Sequence, residues 1–310
     1  FVSEDVHSIP IAETCIVDDA AYPIAVPADC ILQKSARIAA IIIKTHGDFG
    51  YAINVAPAKT AAVISMYGAK SKHHVRDVLS GSTPLRLRGA ASCLPLVPYY
   101  RHTGVVMAEH NSCAQDVSQK SGVIRDTARS LGRHVVRNPD VPSEVKRSLV
   151  EALIFCKGDY SAGTWPKLSG KQMSLYHRAV VGVVREASNA QRWRKLHGST
   201  DLRVCREAGY AWPMYRVSVQ RVMLLTQLIA RGCQQLFCLL AVTEKAKGSW
   251  FEAVLGDLEW LARRSQKLEE YRGASVASWM NLLRDHPQVY SQDGEDYGHR
   301  GNSLRFRALT

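Results

Sequence analysis

The period of the apolar residues changes near residue 110, and that change constrains the fold more than any other feature of the chain. Before it, short β-type runs flank one helical stretch. Thr14-Cys15-Ile16-Val17-Asp18 is a short apolar run that ends in two aspartates, Asp18 and Asp19. Pro27 opens a helical pattern in which Ile31, Leu32, Ile38, Ala39, Ile42 and Ile43 keep to one broad face. Gly47 and Gly50 close it. Residues 61–67 read as a buried strand. Two further strands are expected near 93–97 and 103–108, with Tyr99-Tyr100-Arg101-His102 between them. Strand, helix, strand and hairpin make an α+β piece, a short antiparallel sheet with a packed helix, over residues 1–110.

After residue 110 the spacing is helical. Val117, Ile124, Ala128 and Leu131 define one helix. A second follows the turn at Asn138-Pro139-Asp140-Val141-Pro142, with Ser143 placed as its cap and Val145, Leu149, Leu153 and Cys156 as its apolar face. Leu175, Ala179 and Val183 mark a third. Longer helices are expected over 214–241 and 249–264, the latter with Trp250, Val254, Leu258 and Leu261. Trp165, Trp212, Trp250 and Trp260 sit in apolar surroundings and are expected in the core. This divides the chain into the α+β piece (1–110), a basic helical region (111–200), a C-terminal helical region (201–285) and a tail rich in Gly, Asp, Ser and Arg (286–310), expected to be mobile.

With 46% hydrophobic and 22% charged residues the chain excludes disorder, collagen and coiled coil. No run approaches a membrane span, and the start Phe1-Val2-Ser3-Glu4-Asp5 does not read as a signal peptide but as a chain that begins inside something larger. Eight irregularly spaced cysteines without a Cys-x-x-Cys pair imply reduced thiols and an intracellular protein, in nucleus or cytoplasm. Cys233 and Cys238, His73-His74 and His102 lack partners at zinc-ligand spacing. Residues 1–60 hold four Lys and Arg against seven Asp and Glu, a net of −3; residues 61–221 hold 25 against 11, a net of +14. An acidic start joined to a basic body suits a metal site beside a polyanion-binding surface.

Three segments carry candidate chemistry. Asp18-Asp19 follows a strand, and a turn there can bring carboxylates to a hard cation such as Mg²⁺ or Mn²⁺, which takes oxygen ligands. Gly50-Tyr51-Ala52-Ile53-Asn54, followed by Lys59-Thr60, sets an Asn and a phosphate-seeking Lys behind a helix end. Val97-Pro98-Tyr99-Tyr100-Arg101-His102-Thr103-Gly104 packs rings, a cation and a glycine into a tight hairpin that can press on a nucleic-acid backbone.

In this order the three resemble the last palm motifs of non-LTR (LINE-type) retrotransposon reverse transcriptases. Ile16-Val17-Asp18-Asp19-Ala20 is similar to the family's x-Asp-Asp strand. Gly50, Asn54, Lys59 and Thr60 match its Gly-x-x-x-Asn-x-x-Lys-Thr segment with a longer spacing, and Tyr100-Arg101-His102-Thr103-Gly104 matches its Tyr-Lys-His-Leu-Gly primer grip. Tyr160-Ser161-Ala162-Gly163-Thr164-Trp165 looks like a Tyr-Gly-Ala-x-x-Trp stretch of the same proteins. The resemblance covers residues 18–185. It implies a partial polymerase palm, then a thumb-like helical region, and a protein that acts on an RNA template and a DNA primer. Asp18 and Asp19 are implied as catalytic metal ligands, Asn54 and Lys59 as nucleotide- and phosphate-side groups, and Tyr100, Arg101, His102 and Gly104 as the primer grip. Ile16 replaces a common aromatic, and Thr103 a Leu. The family's first catalytic aspartate and its fingers lie upstream of anything in residues 1–13. Residues 1–310 alone are therefore expected not to polymerise DNA, since a two-metal site needs the third carboxylate.

Arg125, Arg129 and Arg133 recur every four residues as one helical stripe, with Arg137 close by. Lys146 and Arg147 open the next helix, and Arg192, Arg194 and Lys195 surround Trp193. All are candidate nucleic-acid contacts. Two rival readings stand beside the polymerase fragment: a nucleic-acid-binding helical module without catalysis, and an unrelated helical protein.

Overall fold

The computed structural model describes residues 14–16, 19–22, 27, 30–56, 59–65, 85–86, 93–108, 112–188, 198–232, 240, 248–263 and 266–285. The chain is α+β and divides after Asp116 into two compact units, Pro10–Asp116 and a unit built chiefly of Val117–Thr310. The sequence pattern placed the change of character at 110. Among the described residues no helix is long and apolar enough to cross a membrane.

Among its described residues the first unit contains three two-stranded antiparallel pairings. Strand β1 (Thr14–Ile16) pairs with β2 (Asp19–Ala21), with Ile16 opposite Asp19. Helix α1 (Ile31–Asp48) follows. It ends because Gly50 adopts a left-handed φ of 83°. Gly50 N–H then reaches the Gly47 carbonyl (2.9 Å) and Tyr51 N–H the His46 carbonyl (2.8 Å), a closure in which the missing Cβ avoids a steric cost. Strand β3 (Leu85–Arg86) pairs with β4 (Cys93–Leu94), and β5 (Tyr99–His102) pairs with β6 (Val105–Ala108). A small core forms where Ala36, Ala39, Ala40 and Ile43 of α1 meet Leu94, Leu96, Val55 and Ala62.

Two expectations for this unit change. The strand expected over 61–67 is reduced, within 61–65, to one parallel bridge between Ala62 and Leu96; residues 66 and 67 lie outside the described residues. Among the described residues no ladder joins it to the β1–β2 hairpin. Tyr99–His102 is itself a strand rather than the connection between strands. The turn is Thr103-Gly104, with φ of 47° and 84°, the two-residue geometry whose twist matches antiparallel neighbours.

The second unit is helical. Helix α2 (Ala114–Ser130) opens at the boundary between the units and is followed by a π-turn, Gly132–Val136. Then come α3 (Ser143–Val150), a π-helical segment Glu151–Phe155, and α4 (Cys156–Asp159). The remaining helices among the described residues are α5 (Gly170–Ala187), α6 (Asp201–Ala208), α7 (Pro213–Arg231), α8 (Trp250–Ala262) and α9 (Val276–Asp285). Their ends follow local chemistry. Ser169 and Gln172 form a reciprocal capping box on α5. Pro213 sits in the first turn of α7, and Ser249 caps α8 through Glu252 N–H (3.1 Å). One apolar cluster joins Val222 and Leu225 of α7, Phe251, Val254 and Leu258 of α8, and Trp279 and Leu283 of α9.

The face expected to be buried on α3 and its continuation is the exposed one. Val145 is 49% exposed and Leu153 39%, while Val150, Ile154 and Phe155 are inside. Two apolar stripes compete at helical spacing there. The bulkier one wins, and it is the stripe that reaches Gly158, where any Cβ would fall 2.3 Å from Ile124 of α2. Ser143 does not cap this helix; it begins it, and Pro142 at the cap position offers no side-chain hydrogen bond. Trp165 is fully buried, but Trp212, Trp250 and Trp260 are half-buried. The sequence pattern missed α6, α9 and the short 3₁₀ turn Gln266–Tyr271. The helix expected over 214–241 is described to Arg231; residues 233–239 and the tail after 285 lie outside the described residues.

The Tyr160–Trp165 segment is a packing hub. The Trp250 indole N–H donates to the Gly163 carbonyl, and Trp165 stacks edge-on against Tyr176. A methyl group at Gly163 would lie 2.8 Å from the Gln220 carbonyl oxygen and 3.2 Å from Leu224 Cβ. Gly163→Ala is therefore expected to cost roughly 1–3 kcal/mol through overpacking against backbone, measured as a lower urea midpoint at unchanged slope.

Candidate nucleic-acid interface

The first unit presents its described candidate residues on β2, the loop behind α1 and the β5–β6 hairpin. Tyr22, three residues past Asp19, lies with its hydroxyl 3.2 Å from His46 Nε2. His46 Nδ1 is 3.0 Å from the Ile42 carbonyl, so the ring proton belongs on Nδ1 and the Tyr22 hydroxyl donates to Nε2. This bond ties the chain just beyond the β1–β2 hairpin to the end of α1. The backbone puts Asp19 at the first position of β2, opposite Ile16; Asp18 lies outside the described residues. Carboxylates are the hard oxygen donors that Mg²⁺ or Mn²⁺ takes. Among the described residues no three His, Cys, Asp or Glu side chains gather to hold a metal.

Asn54 uses its side-chain oxygen locally, accepting from Ala56 N–H at 3.0 Å. That is an Asx turn shaping the approach to Lys59. Lys59 is exposed. The Tyr100 hydroxyl donates to the Lys59 carbonyl, bringing together two motifs 41 residues apart in sequence. On the same hairpin Arg101 is exposed and His102 half-buried. Thr103 is a β-branched residue at positive φ, a strained choice, and its hydroxyl donates to the His102 carbonyl (2.8 Å). Asp116 accepts Val106 N–H (3.0 Å), occupying a donor on the outer edge of β6.

The second unit gathers cations differently from the expected stripe. Arg125 and Arg129 lie on α2, but that helix ends at Ser130, and the π-turn carries Arg133 off the row. Instead Arg125 and Arg129 share a groove of about 370 Å³ with Arg137 and with Arg178 of α5, lined also by Ala128, Ala179, Gly182, Val183 and Glu186. Lys146 is not a surface contact: it is 4% exposed, and loss of hydration lowers its pKa. Arg147 is half-buried. Arg192, Arg194 and Lys195 lie outside the described residues. Arg178 was not singled out because it joins Arg125 and Arg129 only where α5 and α2 line one recess, which no single-helix periodicity encodes.

Two ion clusters shielded from water tie the helices together. Arg216 of α7 donates to both Glu151 oxygens (2.8 Å each) and to Asp159 (2.6 and 2.9 Å), with the Phe155 ring 4.4 Å beneath it. Burial works against its charge, but the two carboxylates outweigh that and hold its pKa well above the ordinary value. The Tyr176 hydroxyl donates to Asp159, and burial, followed by that carboxylate, pushes the phenol well above its usual range. A second pair joins Arg221 to Asp257 (2.6 Å), with Ser218 donating to Asp257 at 2.7 Å. In comparisons with protein-family models, curated proteins and solved structures, nothing matches this chain.

Proposed function

We propose that the chain is part of an RNA-directed DNA polymerase, in which residues 14–108 belong to a palm and the helical unit holds template and primer. The observation that carries this reading is the bond from the Tyr100 hydroxyl to the Lys59 carbonyl. The primer-grip tyrosine and the phosphate-side lysine that the resemblance implies both sit in one unit here, joined directly. Placement of Asp19 at the first position of β2, opposite Ile16, supports the same reading. In this proposal Tyr100, Arg101 and His102 position the primer, Lys59 offers a point charge to phosphate, and Asp18 and Asp19 supply metal ligands. Mg²⁺ or Mn²⁺ held there would stabilise the attacking and leaving oxygens of nucleotidyl transfer. The resemblance puts the third carboxylate outside residues 1–310.

A second reading, nucleic-acid binding without catalysis, is favoured by the arginine groove, which needs no metal. Primer extension on an RNA template separates the two. Both require that the chain bind template and primer with little sequence preference. Given the net +14 of residues 61–221, affinity is expected to fall roughly 10³-fold or more between about 50 and 200 mM salt. Fluorescence anisotropy checks this, and flat affinity over that range removes both readings.

A further inference from the structure

We infer that the groove between α2 and α5 seats the phosphodiester backbone of a single nucleic-acid strand. This rests on the nucleic-acid half of the reading above and not on the polymerase half. Four guanidinium groups, Arg125, Arg129, Arg137 and Arg178, face one recess that holds a single carboxylate, Glu186. Their existing ion pairs are weak. Arg129 meets Asp126 at 3.1 Å with both side chains more than 70% exposed, and Arg137 is 3.9 Å from Glu186, beyond hydrogen-bond length. Exposed pairs of this kind are worth little and yield to a phosphate. Arg125 and Arg178 each donate Nε to a carbonyl one turn back on their own helices, Ser121 and Ser174, which orients the stems before a ligand arrives.

The shape of the recess selects among polyanions. It is lined by Ala128, Ala179, Gly182 and Val183, and a Cβ on Gly182 would meet nothing within 4 Å. A recess lined by small residues and by arginines therefore lies between α2 and α5. Arg125 and Arg129 stand one turn apart, about 6 Å along the helix, so successive phosphates of an extended strand can each find a guanidinium. A flexible strand can lay its backbone along a recess of this size. A rigid duplex reaches it only with the outer edge of one strand.

The test uses the full chain, a labelled oligothymidylate strand and a blunt duplex of equal length, with circular dichroism to confirm that each variant is folded. Arg125→Gln and Arg178→Gln are each expected to weaken single-strand binding about fivefold and to flatten the salt slope by about 0.7. Gly182→Leu fills the recess without changing charge and improves helix propensity; it is expected to weaken single-strand binding about tenfold. Arg203→Gln removes an exposed cation outside the groove, paired with Glu207, and should change binding less than about twofold. Parent-like binding by Gly182→Leu overturns the inference. So does an Arg203→Gln loss equal to that of Arg178→Gln, or a duplex bound more tightly than the strand. If the groove variants are inert while Arg101→Gln weakens binding, the inference falls and the proposed function stands. If the parent chain binds neither probe at low salt, both fall.

Discussion

Arg216→Leu is expected to destabilise the helical unit by roughly 3–5 kcal/mol, the usual cost of removing one partner from a buried ion cluster. The change deletes the cation that serves Glu151 and Asp159 at once and leaves Asp159, whose side chain is 6% exposed, as an uncompensated charge. It also removes the group stacked on Phe155. Glu151→Gln should cost less, because Glu151 is nearer to water and its amide oxygen can still accept from Arg216. Urea unfolding followed by circular dichroism measures both. A loss below about 1 kcal/mol for Arg216→Leu would show that water reaches the cluster and that the pair counts as a surface one.

The largest effect on chemistry is expected at the aspartate pair. In a polypeptide that also carries the upstream aspartate-bearing strand and fingers, Asp18→Ala or Asp19→Ala should lower primer extension on an RNA template with Mg²⁺ by orders of magnitude while leaving nucleic-acid affinity nearly unchanged. Ligands to a catalytic metal act on the transition state rather than on binding. Tyr100→Ala should behave differently. It frees the Lys59 backbone and loosens the hairpin, so extension falls by less and longer primers partly restore it. Residues 1–310 alone should not extend a primer. Robust extension by them would overturn the placement of the third carboxylate upstream, and an extended polypeptide indifferent to Asp18→Ala would leave the pair as a turn and nothing more.

What was legible in the sequence was what local chemistry decides. Gly50 after an apolar helix and the apolar spacing of α5 gave elements close to those observed, because caps and periodicity act within one turn. The hairpin was legible in outline, yet Thr103 hid its turn: a β-branched residue gives no signal for positive φ. The candidate interface was less legible for the same physical reason throughout. Val145, Leu149 and Leu153 satisfied the helical rule, but the choice between two apolar stripes was made by Gly158 meeting Ile124. Lys146 looked like a surface cation until packing covered it. Arg137 and Arg178 come together where the π-turn Gly132–Val136 packs on α5. Each of these outcomes belongs to a contact between elements, and a one-dimensional pattern holds no record of which faces will meet.

The hub at residues 151–165 also bears on how the helical unit reaches its folded state. Its anchors come from far along the chain: Asp159 and Glu151 are held by a residue 57 and 65 positions away, and Gly163 by one 87 positions away. Closing such loops costs entropy before any contact is gained, so a unit pinned this way folds slowly for a helical one. On a ribosome, the segment from Glu151 to Trp165 emerges long before Arg216 and Trp250 and must wait with its carboxylates unpaired. Nascent chains arrested ahead of Trp250 should therefore be cleaved by protease within this segment, and chains released past α9 should resist.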